Sequence, residues 1–246
     1  MSSISPSRSG QPSIVVTDYV GPPIAAGFAV IPAIPDFGKK SCLQLGKEVE
    51  KKTFFEGMKG GLKLAPMAGL LIGVQMIMQE IFEKTFAERG KTSDLQSKAK
   101  SSFVVGTCSS PIVAMFNGRT MGWTAKECWG RFTPSQAIAI AIQETLFVGG
   151  ISASSEVSKV MKKNLGDYSI IDYGSAFISG AAGSLLGHPA NTVLTRLQNG
   201  MEVKSLFQMK ISSLQGFMRG GAFKARACGI FSIGYKIGNE IFKSKE

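Results

Sequence analysis

Histidine is almost missing from this chain, and its few cysteines are scattered. His188 is the one histidine in 246 residues, and the four cysteines form no Cys-x-x-Cys pair. A structural zinc site needs four Cys or His ligands at close spacing, so the sequence predicts no metal site. A Gly-x-Ser-x-Gly elbow and a phosphate-binding Walker loop are also missing. We therefore expect no cofactor and do not predict an enzyme.

Acidic residues are scarce relative to basic ones. The chain has 28 Lys and Arg against 17 Asp and Glu, which gives a net charge of +11 at pH 7. Such an excess is typical of nucleic-acid-binding proteins when the basic side chains cluster on one surface. Here they are spread along the chain between apolar runs, so we predict no nucleic-acid partner.

Long apolar runs are the main feature that is present. A membrane-spanning helix needs about 17 to 25 mostly apolar residues. One such run would also fit a buried helix of a soluble all-α protein, but several together predict an all-α membrane protein. Six windows are candidates: Tyr19–Pro35, Leu64–Gln79, Ser101–Gly118, Ala137–Ser155, Tyr173–Thr195 and Gly220–Gly238.

Parts of the chain repeat one another. Lys59–Phe82 aligns without a gap on Arg219–Phe242, at an offset of 160 residues, and shares the Gly-Gly pair and the Glu-Ile-Phe ending. Glutamates recur at Glu80, Glu156 and Glu240, which indicates a weaker copy in the middle. The chain is therefore interpreted as three two-helix units of about 80 residues each.

Each odd-numbered apolar window carries a proline near its end. These prolines are Pro35, Pro111 and Pro189. A proline inside a helix removes a backbone hydrogen bond and kinks the helix. Three kinked helices can enclose a central cavity, so we predict one there.

At two of these prolines the sequence resembles the mitochondrial carrier family, whose odd helices carry Pro-x-[Asp/Glu]-x-x-[Lys/Arg]-x-[Lys/Arg]-x-Gln. The matching runs are PDFGKKSCLQ from Pro35 and PANTVLTRLQ from Pro189, and FMRGG resembles the segment that precedes the family's sixth helix. The resemblance implies six transmembrane helices in three pseudo-repeats around a central cavity. It also implies a monomeric, multi-pass protein of the mitochondrial inner membrane, in contact with the lipid bilayer and its anionic head groups.

The resemblance divides the chain into four parts. A flexible N-terminal segment covers residues 1–15, and the first repeat, with helices 1 and 2, covers residues 16–94. The second, degenerate repeat covers residues 95–165 and retains only Pro111 of the motif. The third repeat covers residues 166–246.

In the family, charged residues form one gate on the matrix side of the cavity and another on the opposite side. Matrix-side acids are replaced here, because Asn191 and Phe37 occupy acidic motif positions. A tight ionic latch is therefore not expected on that side. The residues that remain at the matrix-side gate are Lys40, Gln44, Arg196 and Gln198. Those expected at the opposite gate are Glu80, Lys84, Glu156, Lys159, Glu240 and Lys243.

Basic residues inside the apolar windows suggest what the cavity binds. Cations in a partly dehydrated cavity attract anions strongly, because the local dielectric screens them poorly. We expect Lys63, Lys224, Arg226 and Gln143 to bind a small anionic solute, a nucleotide or a carboxylate. For Lys63, an equally good interpretation is a side chain that reaches the membrane interface.

Two functions are compatible with these features. The first is a transporter that works by alternating access and uses the retained charges as a gate. The second is a degenerate carrier-like membrane protein that serves as an adaptor or insertion scaffold without moving solute. The buried bases favour the first, and the missing matrix-side charges favour the second.

Overall fold

The computed structural model describes residues 17–49, 53–89, 94–201, 203 and 216–243. These residues form α-helices, short turns and one 3₁₀ turn, with no strand among them. The all-α prediction is therefore confirmed for this part of the chain. The predicted N-terminal segment, residues 1–15, lies outside it.

The helices follow one another with short connections. In the first half they are α1 Thr17–Val30, α2 Ile34–Gln44, α3 Phe54–Leu62, α4 Ala65–Arg89, α5 Asp94–Cys108 and α6 Ser110–Thr120. In the second half they are α7 Ala125–Gly130, α8 Pro134–Ser152, α9 Ser154–Leu165, α10 Ser169–Leu186, α11 His188–Gln198 and α12 Gly221–Lys243.

Three pairs of helices are single rods broken near a proline. Pro35, Pro111 and Pro189 are each the second residue of α2, α6 and α11. Proline is well tolerated there, because the first turn of a helix has no intrahelical partner for its N–H groups. The connections are Ile31–Ala33, Ser109 and Gly187, so the α-helix of each rod is interrupted just before its proline.

Within the described residues, six long rods form a closed ring in chain order. The first rod is α1 with α2, and α1 packs against both α4 and α12. The ring continues through α4 against α5, α5 against α8, α8 against α10 and α10 against α12. The first and last helices therefore meet, and each rod faces the axis of the ring along one side.

Glycines allow the closest approaches between these rods. A Cβ at Gly69 would lie 2.6 Å from the carbonyl oxygen of Pro23 on α1, and one at Gly183 would lie 2.5 Å from the carbonyl oxygen of Leu146 on α8. Such contacts are too short for any real Cβ. Small residues at these positions let the backbones pack directly, as in membrane bundles.

The ring is apolar outside and polar within. Buried polar side chains such as Ser101, Gln75 and Ser175 face inward. Each long rod exposes large apolar side chains, and one example from each is Phe28, Leu70, Phe103, Ile138, Ile170 and Ile241.

Two helical segments are long and apolar enough to cross a membrane, Val20–Gln44 and Ala65–Ala87. The bent pair Pro134–Ser152 and Ser154–Leu165, with a bend of 42°, would be a third if it forms one span. The described residues thus contain two or three candidate spans, fewer than the six windows of the sequence suggest. The other rods consist of shorter helices, such as α5 and α6 with 15 and 11 residues, or carry several charges, as α12 does with Lys224, Arg226 and Lys236.

The short helix α7 lies between rods and has its own local stabilisation. The Thr124 hydroxyl accepts a hydrogen bond from the Glu127 N–H, and the Glu127 carboxylate accepts bonds from the Thr124 N–H and hydroxyl at 2.7 and 2.8 Å. This reciprocal pairing is a capping box. The bonds from Thr124 hold the pKa of the Glu127 carboxyl below its ordinary value.

Candidate functional site

A cavity of about 80 Å³ lies where the broken rods converge on the ring axis. Aromatic and aliphatic side chains form most of its wall, including Phe37, Phe116 and Phe231. Polar side chains reach it from six helices, and those used below are Lys40, Gln75, Asn117, Gln143, Glu144, Asn191 and Lys224. A largely apolar pocket with a few convergent polar groups is the usual form of a small-molecule site.

A chain of hydrogen bonds crosses the cavity from α2 to α8. Lys40 Nζ donates to Asn191 Oδ1 at 2.8 Å, and Asn191 Nδ2 donates to Gln143 Oε1. Gln143 Nε2 then donates to Glu144 Oε1 at 2.6 Å. The hydrogen-bond acceptor that Lys40 meets is therefore a neutral amide, at the motif position where the carrier family has an acid.

Glu144 is buried and also has neutral partners. Its side chain accepts hydrogen bonds from Gln143 and, at 2.9 Å, from Gln75 Nε2. Gln75 Nε2 donates in addition to Ser109 Oγ at 2.8 Å. These amides stabilise the Glu144 carboxylate without neutralising its charge.

Lys224 is the one buried cation here without a partner. The residue is 4% exposed, and its Nζ has no hydrogen-bond partner among the described residues. Gln75 Oε1, on the facing helix α4, is likewise a buried acceptor without a donor. Buried polar groups are normally hydrogen-bonded, because an unmade bond leaves the cost of desolvation uncompensated. The cavity thus presents one free cationic donor and one free acceptor.

The charges around the cavity do not cancel. Within the described wall the charged side chains are Lys40, Lys224 and Glu144, two cations and one anion. Buried charges are strongly destabilising unless they are paired. An anion that enters this cavity would gain from both lysines, so the arrangement favours anion binding.

At one end of the cavity the ring is closed by amides. Gln44 Nε2 donates to Asn191 Oδ1 and Thr192 Oγ1 at 3.0 and 2.9 Å, and Gln44 Oε1 accepts from Thr195 Oγ1 at 3.0 Å. These bonds join α2 to α11. Two of the predicted matrix-side gate residues, Lys40 and Gln44, thus bridge helices through hydrogen bonds to uncharged groups rather than through ion pairs.

The other two predicted matrix-side gate residues, Arg196 and Gln198, lie on α11. Gln198 accepts a hydrogen bond from Asn117 Nδ2 and donates to the Ala114 carbonyl at 3.0 Å, which joins α11 to α6. Arg196 instead donates to the Gly216 carbonyl at 3.1 Å and stacks on the Phe217 ring. Arg196 therefore anchors the segment before α12 and does not reach the cavity.

Two of the four predicted solute-binding residues do not reach the cavity. Lys63 lies in the exposed turn between α3 and α4. Arg226 forms a two-bond ion pair with the buried carboxylate of Asp36, with both N–O distances at 2.6 Å. The apolar run suggested a deep position for Arg226, but its side chain is 55% exposed. Gln143 and Lys224, in contrast, do line the cavity.

The charges expected at the opposite gate mostly pair along their own helices. Lys84 and Glu80 are exposed and 2.8 Å apart on α4. Glu156 pairs with Lys159 on α9 at 3.1 Å and with Lys98 of α5 at 3.3 Å.

The third acid of this set, Glu240, lies near the end of α12. It pairs with Lys236 at 3.2 Å and accepts a hydrogen bond from the Tyr173 hydroxyl at 2.7 Å. The side chain of Lys243 lies outside the described part of the structure. The interhelical contacts of these predicted gate residues include the ion pair of Lys98 with Glu156 and the hydrogen bond of Tyr173 with Glu240. At the same end, Lys162 of α9 pairs with Asp172 of α10 at 2.9 Å.

Gln75 and Asn117 were not selected from the sequence. Both are uncharged, and Gln75 lies within a charge-free window, so a search for charges passes over them. An amide inside an apolar run was the available signal, because such a group needs a partner in the bundle interior.

Comparison with protein-family models gives no match, and comparison with curated proteins gives none. The resemblance to mitochondrial carriers therefore rests on the motifs and stays a prediction.

Proposed function

We propose that this chain is a membrane transporter that moves a small organic anion across the mitochondrial inner membrane by alternating access. In this proposal the six rods are six spans in three carrier-like repeats, and the cavity on the ring axis is the solute site. The observation that carries the proposal is Lys224, a buried cation in the cavity wall with no partner among the described residues.

The distribution of polarity supports a membrane setting. Large apolar side chains such as Phe28, Phe103 and Leu186 are more than half exposed on the outer surface of the ring. Soluble monomers seldom expose broad apolar surfaces. Lipid would cover this surface, while the buried serines and amides satisfy one another inside the ring.

The closed ring with three broken rods supports alternating access. Each rod breaks before its proline, and the polar network joins α2, α6, α8 and α11 just beyond the breaks. Neutral hydrogen bonds contribute about 0.5 to 1.5 kcal/mol each. Closure by amides is thus weaker than closure by desolvated ion pairs, so this end can open when the solute supplies compensating contacts.

The size of the cavity limits which solutes it can hold. A site of 80 Å³ has room for several waters, since one water needs about 10 to 15 Å³ by the same measure. This fits a short carboxylate. A nucleotide would need a much larger opening of the ring, so we favour the carboxylate.

The test is uptake into proteoliposomes that contain the purified full-length chain. Labelled succinate, phosphate and ADP are supplied outside, with and without the same solute inside. We expect saturable uptake of succinate that Lys224→Ala reduces at least tenfold. Lys126→Ala, on the exposed surface of α7, is the matched control and should leave uptake unchanged.

Failure of transport would have a definite meaning. If the protein is folded and correctly inserted and moves none of these anions, the transporter proposal is wrong. The adaptor or scaffold function suggested by the lost gate charges would then be preferred. If Lys224→Ala transports normally, Lys224 is not the solute-binding cation.

A further inference from the structure

We infer that the solute is a short carboxylic acid that also carries an amine, an amino acid rather than a simple carboxylate. This inference rests on the proposed function and concerns the same cavity. It follows from the two unpartnered groups in the wall, which are of opposite hydrogen-bonding type.

On the acceptor side of the cavity, hydrogen bonds fix the orientation of the Gln75 side-chain amide. Gln75 Nε2 donates to Glu144 Oε2 and to Ser109 Oγ, so both of its hydrogens are used. A flipped amide would turn the Gln75 carbonyl oxygen toward the Glu144 carboxylate, and the two would repel. The oxygen of Gln75 therefore stays free, and it is buried beside an acid.

Glu144 adds further acceptor capacity at this side. Each of its oxygens accepts one described hydrogen bond, from Gln143 and from Gln75, whereas a carboxylate oxygen has two lone-pair sites. A group that satisfies Gln75 Oε1 and Glu144 together must bring two or more donors and preferably a positive charge. An ammonium group has three donors and one charge, whereas a carboxylate has no donor.

The donor side of the cavity is cationic. Lys224 Nζ needs an acceptor, and Lys40 Nζ donates to a single neutral oxygen, that of Asn191, so two of its donors remain. A carboxylate of the solute can accept from these ammonium groups. The wall thus has a place for an acid and a place for an amine.

The formal charges of the cavity wall restrict the class of solute further. Two lysines and one glutamate give the wall a sum of +1, which a solute with net charge −1 balances. An amino acid with a second acid group has two negative charges and one positive charge, the reverse of this wall. Aspartate is the shortest common compound of this kind and suits a cavity of about 80 Å³.

The experiment compares aspartate with succinate, which has the same four-carbon diacid skeleton without the amine. Competition with labelled aspartate uptake, and ligand-induced shifts of the thermal unfolding midpoint in detergent, are measured on the full-length chain. We expect aspartate to bind at least tenfold more tightly than succinate, because a site with buried acceptors rejects a ligand that lacks the donor.

Variants test which residues cause the preference for aspartate over succinate. Glu144→Gln should bring the aspartate-to-succinate ratio close to one, whereas Lys224→Ala should weaken both ligands. If Glu144→Gln does not fold, Gln75→Leu removes the free acceptor instead and should lower the same ratio.

The outcomes separate this inference from the proposed function. Equal or tighter binding of succinate would overturn the amine assignment and leave anion transport standing. Uptake of phosphate or ADP with no binding of aspartate would do the same. If no anion binds or moves, both proposals fall together.

Discussion

Replacing Arg226 with alanine should destabilise the protein more than replacing its partner Asp36. The Asp36 side chain is 6% exposed, whereas the Arg226 side chain is 55% exposed. Without Arg226, a buried carboxylate loses both of its charge-assisted hydrogen bonds. Without Asp36, the guanidinium remains exposed and keeps its place over the Phe223 ring.

The expected magnitudes follow from this asymmetry. A hydrogen bond to a charged group contributes about 1.5 to 3 kcal/mol. Two bonds are lost, but Arg226 is 55% exposed, which reduces their contribution by about half, so Arg226→Ala should cost about 2 to 3 kcal/mol. Loss of the acid from a half-exposed pair should cost about 1 kcal/mol or less. For a chain of this length, 1 kcal/mol lowers the Tm by about 2 to 4 °C. We therefore expect a decrease of about 4 to 12 °C for Arg226→Ala.

The measurement is thermal unfolding of the purified protein in detergent, followed by circular dichroism. The double variant Asp36→Ala/Arg226→Ala should unfold at a higher temperature than Arg226→Ala alone, because it contains no orphaned carboxylate. Arg226→Lys keeps the charge but loses the two-bond geometry, so it should lie between. If Asp36→Ala proves the worse single change, or if the two losses simply add, the burial argument is refuted.

Three further predictions concern packing, capping and closure. Gly69→Ala should lower the Tm because its new Cβ would meet the backbone of α1, whereas Gly38→Ala, with no atom within 4 Å, should leave the Tm unchanged or higher. Thr124→Ala should raise the pKa of Glu127 toward its ordinary value in a carboxyl NMR titration, and an unmoved pKa would contradict the capping geometry. Because that pKa is depressed in the folded protein, the stabilisation of α7 is present above the ordinary pKa and is lost as the pH falls through the depressed one. Gln44→Leu removes three hydrogen bonds between α2 and α11 and should lower the Tm by several degrees, while an unchanged Tm would mean that closure does not depend on these amides.

The positions of the helix breaks could be predicted from sequence because their cause is local. Pro35, Pro111 and Pro189 each lack an N–H and restrict the preceding turn, whatever surrounds them. Small residues at four-residue spacing, Gly69 with Gly73 and Gly183 with Gly187, can also be recognised in the sequence, since this spacing places both members of a pair on one face of a helix. These features depend on a few consecutive residues.

The partners of the charged residues could not be predicted, because each pair joins residues that are far apart in the sequence. Arg226 and Asp36 are 190 positions apart, and Lys40 and Asn191 are 151 apart. Hydropathy indicates that Arg226 lies in an apolar run but not which way it points. Each residue of a helix is rotated by about 100° from the one before it. Lys224 and Arg226 are two residues apart, so they lie on different faces of α12, the buried face and the exposed face. The apolar pattern of α12 is interrupted by too many polar residues to fix that rotation in advance.

The contact between the first rod and the last has a consequence for synthesis. Arg226 is added to the chain 190 residues after Asp36, which takes about 10 to 40 s at 5 to 20 residues per second. During that interval Asp36 of α2 lacks its ion-pair partner Arg226, and for most of it Lys40 of α2 lacks its hydrogen-bond acceptor Asn191. The first rod therefore cannot complete its packing until α12 has been made, so the ring closes only after Arg226 has joined the chain.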